Sequence, residues 1–414
     1  MPRLQPVRGT HDLLPAACLR HRRVIEAFRT IAERYGFAEI ATPIFEFTEV
    51  FKRTLGETSD VVTKEMYTFT DRGGDEITLR PEYTAGIARA FISGGLSQRL
   101  PMKLYCHGPM FRYERPQKGR LRQFHQLDVE ILGAAEPLAD IEVVALGAHV
   151  LDALGVLDRT ELELNSLGDA ESRAAYRESL VGYFRDHLEA LSEDSRARLD
   201  RNPLRILDSK DTGDRSIIAG APLMADYHNA RSVEIFAAVR DGLDRLGISY
   251  RINPRLVRGL DYSTHTAFEF TTRELGAQGA VLAGGRYDGL IAAMGGPPTP
   301  ATGWAAGIER LAMLLDDSPP PKRSLAVIPV GAADEGPALD LTHELRHAGF
   351  TVDLDYRGNV SRRLKHANRL NSCVAILLGE SERSRGAATV RDLDSGEQVE
   401  VPLAELKDQL ARYR

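Results

Sequence analysis

The 414-residue sequence predicts an α+β protein: a large domain on a central antiparallel sheet, a helical insertion within it, and a small C-terminal α/β domain. Three patterns carry that expectation. Between Met66 and Leu132 strand-like runs alternate with hairpin punctuation. Between about Asp169 and Leu246 apolar residues fall at helical spacing. Beyond the charged, proline-triplet segment 316–323, which is stiff and unable to join a helix or central strand, strands and helices alternate. The expected domains are 1–322, with the insertion at about 169–247, and 323–414.

Val24, Phe28, Ile31 and Tyr35 recur at three- and four-residue spacing with Gly36 behind them, which predicts an amphipathic helix over Arg23 to Tyr35. Phe37 to Val50 is β-branched and aromatic but broken by Pro43, which suits an edge or interface strand. Met66 to Thr70 and Glu76 to Arg80 flank Arg72-Gly-Gly-Asp75, and Leu104 to Glu114 pairs with Phe124 to Leu132 across the basic loop 115–122. Consecutive hairpins imply an antiparallel sheet. Tyr176, Leu180 and Phe184, then Phe236, Val239, Leu243 and Leu246, mark helices of the insertion, and a helix with Ile308, Leu311, Ala312 and Leu315 on one face ends the first domain. The second domain reads strand Leu325 to Val330, helix Ala338 to Ala348 after Pro337, strand Val352 to Tyr356, helix Val360 to Leu370 and strand Val374 to Leu378. A hairpin around Asp394-Ser-Gly396 and a final helix close it.

Composition narrows the function. Hydrophobic residues at 43% and charged residues at 27% are ordinary for a folded soluble chain. With no apolar N-terminal h-region and no run of ~18 apolar residues, a cytoplasmic protein with no membrane partner is expected. Cys18, Cys106 and Cys373 are far apart and form no CxxC pair, so neither a metal site nor a disulfide framework is expected. The net charge of −6 argues against coating nucleic acid through bulk positive charge, yet leaves room for basic patches. No strand runs into GxGxxG or GxxxxGK[ST], which excludes those phosphate-binding loops.

Period-two alternation puts Gln126, Asp128 and Glu130 on one face of their strand and His125, Leu127, Val129 and Ile131 on the other, with Arg112 and Glu114 alternating likewise on the preceding strand. A polar binding surface and a solvated sheet face both fit this pattern. The arginines of loop 115–122 suit phosphates, because a guanidinium offers planar donors that keep their charge, and they equally suit a solvated turn.

As a set, these residues resemble a known family. Gly108-Pro-Met-Phe-Arg-Tyr-Glu-Arg-Pro-Gln-Lys-Gly-Arg-Leu-Arg-Gln-Phe-His125 resembles motif 2 of class II aminoacyl-tRNA synthetases in the form of the histidyl enzymes; Phe37 to Pro43 resembles motif 1 and Gly303 to Leu311 motif 3. Arg258-Gly-Leu-Asp-Tyr262 and Gly284-Gly-Arg-Tyr-Asp-Gly289 resemble the two signatures that set histidyl enzymes apart, and Val7 to Asp12 and Leu79 to Thr84 also fit. The second domain resembles the family's anticodon-binding domain.

The resemblance implies a class II synthetase fold, a homodimer built through motif 1, and three partners: L-histidine, ATP with accompanying Mg²⁺, and the tRNA for histidine. It implies that Arg112 holds the α-phosphate and Arg258 bridges substrate carboxylate and phosphate, as the catalytic pair. Glu114, Arg120 and Phe124 position ATP, Arg310 stacks on adenine, and Gly303 and Gly307 leave space for the nucleotide. Glu82, Thr84 and Gln126 receive the α-ammonium, Glu130 accepts an imidazole proton, and Tyr262 and Tyr287 close the pocket; no resident metal is implied. The chain departs from the family at Ser263, where a second tyrosine is usual, which puts the fit around histidine in question. His265 is expected beside the pocket rather than as a base. Two other readings are a regulatory paralogue, which typically loses the arginines and the C-terminal domain, and a class II enzyme of another specificity, which should lack the Arg258 and Gly284 signatures. The residues Arg357, Arg362, Arg363, Lys365 and Arg369 could meet phosphates or form a solvated helix face.

Overall fold

Proline costs a helix nothing in its first turn, where its missing N–H would be unpaired anyway, and α1 (Pro15–Arg34) begins that way, well before the Arg23 at which the apolar stripe starts. This computed structural model describes residues 3–55, 61–199, 202–209, 211–257, 262–276, 279–316 and 322–413. The chain divides into two units, Met1–Asp317 and Ser318–Arg414.

Residues 37–50 do not form one strand. β1 is Ala38–Glu39, β2 is Phe45–Phe47, and Thr48–Leu55 is helix α2. Pro43 supplies no ladder donor, and the helix beyond it turns Phe51 into full burial beside Ala85. β3 (Tyr67–Thr70) and β4 (Glu76–Leu79) form the expected hairpin, and with β2 make a small antiparallel sheet of order β2-β4-β3. α3 (Thr84–Ser93) follows. β5 (Met102–Phe111) and β6 (Gln123–Leu132) then pair over ten residues each. β5 ends at Phe111 rather than Glu114 because the Tyr113 N–H donates to the Glu65 carbonyl at 2.6 Å and the Glu114 N–H to that of Arg112 at 2.8 Å. Arg112 and Glu114 therefore sit in a turn and do not alternate on a strand.

After α4 (Pro137–Ala153) come β7 (Glu161–Ser166), helices α5 (Ala170–Asp186), α6 (Glu193–Leu199), α7 (Thr212–Gly220) and α8 (Ala230–Arg245), and β8 (Arg251–Ile252). Tyr176, Leu180 and Phe184 pack with Leu199, Ile217 and Met224 in a separate helical core, whereas Val239 and Leu243 of α8 join the main one. The first unit ends with β9 (Thr264–Thr271), β10 (Ala280–Arg286), α9 (Leu290–Ala293), β11 (Ala301–Gly307) and α10 (Ile308–Leu314).

The main sheet has eight strands in the order β1-β5-β6-β11-β10-β9-β7-β8, antiparallel except at its outer pairs β1·β5 and β7·β8. One face carries the core: Leu127, Val129, Phe268, Leu282 and Trp304 pack against Val24 and Phe28 of α1, Val143 and Leu151 of α4 and Leu311 of α10. The opposite face of β6 is left to polar residues.

β10 is anchored by a buried ion pair. Arg286 donates through Nε and Nη2 to Asp140 on α4 at 3.0 and 2.8 Å, and through Nη1 to the Ala134 carbonyl and Asp288; Thr302 completes Asp140 with a 2.9 Å hydrogen bond.

The second unit holds β12 (Leu325–Pro329), α11 (Glu335–His347), β13 (Val352–Leu354), α12 (Val360–Arg369), β14 (Val374–Leu378), β15 (Ala387–Asp392) and β16 (Gln398–Pro402) in a sheet of order β13-β12-β14-β15-β16. β13, β12 and β14 are parallel; β15 and β16 form the antiparallel hairpin at 394–396. Pro337 lies within the first turn of α11 rather than before it, where its lack of an N–H is harmless.

Removing one partner of a buried ion pair strands the other charge, at a cost of roughly 3–5 kcal/mol. Asp140→Ala should lower the stability of the first unit by about that amount, read from the urea midpoint of the intact chain; a midpoint within experimental error of the parent would refute the anchoring role.

Candidate active site

Across the ladder from Gln126, Asp128 and Glu130 stand Gly307, Ala305 and Gly303 on β11. Small residues there leave the polar face of β6 uncovered, and the result is a cavity of about 280 Å³. A Cβ at Gly303 would overlap the Glu130 carboxylate, so this glycine makes room for Glu130 rather than for a nucleotide. A Cβ at Gly307 would meet only the Arg310 side chain at ordinary distance.

One end of the cavity is acidic. Glu130 is 1% exposed; the Thr84 hydroxyl donates to its Oε1 at 2.7 Å and the Tyr287 hydroxyl to its Oε2. Glu82 Oε1 accepts the Ala85 N–H at 2.8 Å and its Oε2 the Tyr262 hydroxyl at 3.4 Å. Asp128, also 1% exposed, lies two residues from Glu130 on the same strand face, and its Oδ1 has no hydrogen-bond partner among the described residues. Burial is the first cause that raises the pKa of all three carboxyls, with the Asp128 carboxyl, beside Glu130 and Glu82, held well above the carboxylate range. The Gln126 Oε1 is a further buried acceptor without a partner among the described residues. Tyr262 stands edge-on to Tyr287, ring centroids 5.7 Å apart, and the short Ser263 lines the same end.

The other end is basic. Arg112 is held by a 2.9 Å bond from Nε to the Pro81 carbonyl, with its guanidinium 5.2 Å from the Phe124 ring centroid. Arg310 donates to the Gly119 and Ala280 carbonyls at 3.1 and 2.6 Å, and Arg120 pairs with Glu114. Burial first, then the charges of Arg120 and Arg112, lower the pKa of Arg310: two neighbouring guanidiniums repel it. An arginine can hardly shed its proton, so what relieves this cluster is an anion.

The structure thus gathers Glu82, Thr84, Arg112, Glu114, Arg120, Phe124, Gln126, Glu130, Tyr262, Ser263, Tyr287 and Arg310 around one cavity. Arg258 lies outside the described residues. His265, with φ of 43°, is buried but does not line the cavity. Asp128 is a lining residue to which sequence reasoning gave no role, although its alternation with Gln126 and Glu130 was the signal. On the far side of the β5–β6 hairpin, His125 joins motif 2 to motif 3: its N–H donates to both oxygens of Glu309, and its Nδ1 lies 2.8 Å from Oε1. With His21 these form the trio among the described residues whose atoms could meet around a cation, but His125 and Glu309 already satisfy each other. Cys18, Cys106 and Cys373 are free thiols.

Comparison with known proteins agrees along the chain. Residues 9–311 match the family model described as histidyl-tRNA synthetase, and residues 324–413 the one described as anticodon binding domain. The histidine–tRNA ligase of Rhodospirillum rubrum is 63% identical over 414 residues, 100% of both chains, and that of Gluconacetobacter diazotrophicus 57% identical over 411, 99% of each. The apo crystal structure of the S. aureus histidyl-tRNA synthetase superposes with a TM-score of 0.83 at 34% identity, covering 98% of this chain and 99% of that one. With the motif 2 and motif 3 residues gathered on one cavity and relatives this similar over their full length, the chain belongs to the histidyl-tRNA synthetase family.

Proposed function

We propose that this chain is a histidine–tRNA ligase that activates L-histidine with ATP, releasing pyrophosphate, and then transfers the histidyl group to the 3′-terminal ribose of its tRNA. The observation that carries the reading is the polarity of one cavity: three clustered arginines at one end, and at the other buried carboxyls and an amide oxygen unpartnered among the described residues. A polyanion and an amino acid with a cationic ammonium group and a ring N–H match the two ends. Attack of the amino-acid carboxylate on the α-phosphate brings two anions together, and fixed guanidiniums neutralise the charge that develops. Arg112 takes the α-phosphate in this scheme, Arg258 bridges it to the carboxylate, Arg120 and Arg310 hold the nucleotide with Phe124 and Glu114, and Mg²⁺ arrives on the ATP as its counter-ion. Glu82, Thr84 and Gln126 take the ammonium group. Glu130, oriented by Thr84 and Tyr287, accepts a ring N–H, and a buried carboxylate rejects amino acids that leave it unpaired.

The second unit serves as the tRNA-anticodon module. Arg363 is not part of a phosphate-binding patch, since it is buried and donates to the Pro329 carbonyl at 2.6 Å; Arg357, Arg362, Lys365 and Arg369 remain on the surface, as does Tyr356, which is 89% exposed and suited to stack on a base. No described helix is long and apolar enough to cross a membrane, and the cytoplasm is the proposed compartment. The small β2-β4-β3 sheet and its approach leave Ile44, Phe45, Phe47 and Phe69 exposed, an apolar surface that a second copy would cover in a homodimer.

Histidine-dependent exchange of labelled pyrophosphate into ATP, tried with all twenty amino acids, tests the function: exchange with histidine alone is expected, and its absence from folded protein would overturn the reading. Arg258→Ala should slow exchange by about 10²–10³ at unchanged thermal stability; near-normal exchange would remove Arg258 from the catalytic pair. Phe45→Asp combined with Phe47→Asp should turn the dimer into a monomer by light scattering, whereas an unchanged mass would place the interface elsewhere.

A further inference from the structure

Glu130 is the acceptor the family resemblance assigns to the imidazole, yet both its oxygens already receive hydroxyl hydrogen bonds, from Thr84 and Tyr287. Two residues away on the same strand face, Asp128 lines the same cavity, is 1% exposed and keeps an oxygen without any partner among the described residues. A buried carboxyl oxygen left unmatched is costly and calls for an occupant. Among the described residues no cation answers it: Arg112 is tethered to Pro81, Arg310 to Gly119 and Ala280, Arg120 to Glu114 and Arg286 to Asp140. Ser263, which lines the same end, carries only a short hydroxyl.

Imidazole presents two ring nitrogens, and a neutral ring offers one N–H donor and one lone pair. Glu130 alone can satisfy only the donor. Asp128 stands two residues from Glu130 on the same face of β6, and burial first, then Glu130 and Glu82, hold its carboxyl well above the carboxylate range, so it keeps a proton that an exposed carboxyl has lost. A carboxyl pair holding one proton presents one carboxylate and one O–H, the complement of a neutral imidazole. Resting on the histidine reading of the cavity, we propose that Asp128 is a second imidazole-binding residue, its carboxyl hydrogen-bonding one ring nitrogen while Glu130 takes the other. The ring is then read at both nitrogens, which rejects isosteres lacking either.

Loss of the contact has a signature that a merely structural role lacks. Burial is the first cause that raises both carboxyls, helped at Asp128 by the charges of Glu130 and Glu82 and at Glu130 by Glu82, so the singly protonated pair persists above the pH at which an exposed carboxylate has ionised. Histidine binding should weaken on both sides of that range, once the pair gains its second proton or loses its last.

The experiment is pyrophosphate exchange by full-length parent, Asp128→Ala and Asp128→Asn proteins, with histidine, ATP and the two ring N-methylhistidines varied in turn. In Asp128→Ala the KM for histidine should rise about 10–100-fold, as for loss of a hydrogen bond to a charged or buried group, with the KM for ATP within about twofold. One N-methylhistidine isomer, rejected by the parent, should become a substrate as its methyl group enters the vacated space, while the other stays excluded by Glu130. Asp128→Asn, nearly isosteric and not titratable, guards against misfolding and should flatten the pH profile of kcat/KM for histidine. A KM for histidine within twofold of the parent in Asp128→Ala, or continued rejection of both methylhistidines, would overturn the assignment. Failure of the parent itself to exchange with histidine would instead sink the reading of the cavity, and this proposal with it.

Discussion

A guanidinium and a carboxylate removed from water are tolerable only when nearly every donor and lone pair is matched, and the Arg286–Asp140 pair meets that condition. Arg286 reaches Asp140, Asp288 and two backbone carbonyls, while Asp140 gains Thr302 as well. The rest of the site hangs from this bond. It fixes the end of β10 to α4, so the next residue, Tyr287, leaves the strand in a set direction with its ring buried and its hydroxyl on Glu130. Asp288, held by the same arginine, accepts the Ala301 N–H at 3.1 Å and so ties in the start of β11, the strand whose Gly303 gives Glu130 its space. The Gly284 to Gly289 signature is therefore as much a structural joint as a recognition element.

How much of this was legible follows from the range of each interaction. A strand's period of two is local, so the polar face of Gln126, Asp128 and Glu130 could be read directly; that it is buried rather than solvated could not, because the groups that meet Glu130 there, Thr84 and Tyr287, come from 46 and 157 positions away. The Asp140–Arg286 pair spans 146 positions, and nothing in either neighbourhood announces the other. Phe37 to Val50 reads as strand by composition, yet α2 wins at Thr48 because burying Phe51 beside Ala85 outweighs local propensity. Arg363 looked like its basic neighbours until the fold showed it pointing into the second unit. The family resemblance supplied roles at motif positions only, which is why Asp128, between two of them, was seen on the right face and given nothing to do.

Opposite charges at the two ends of one small cavity raise a mechanical question: why the arginines do not collapse onto the carboxyls and fill the site themselves. Each is tethered. Arg112 is tied to the Pro81 carbonyl, Arg310 to those of Gly119 and Ala280, Arg120 to Glu114, while Glu130 is pinned by Thr84 and Tyr287 and Glu82 by the Ala85 N–H. Those bonds keep like groups crowded at each end, a condition tolerated only because folding elsewhere stabilises it. Substrates of the matching charge relieve both ends at once. In the proposed reaction the groups are already aimed when the carboxylate meets the phosphate.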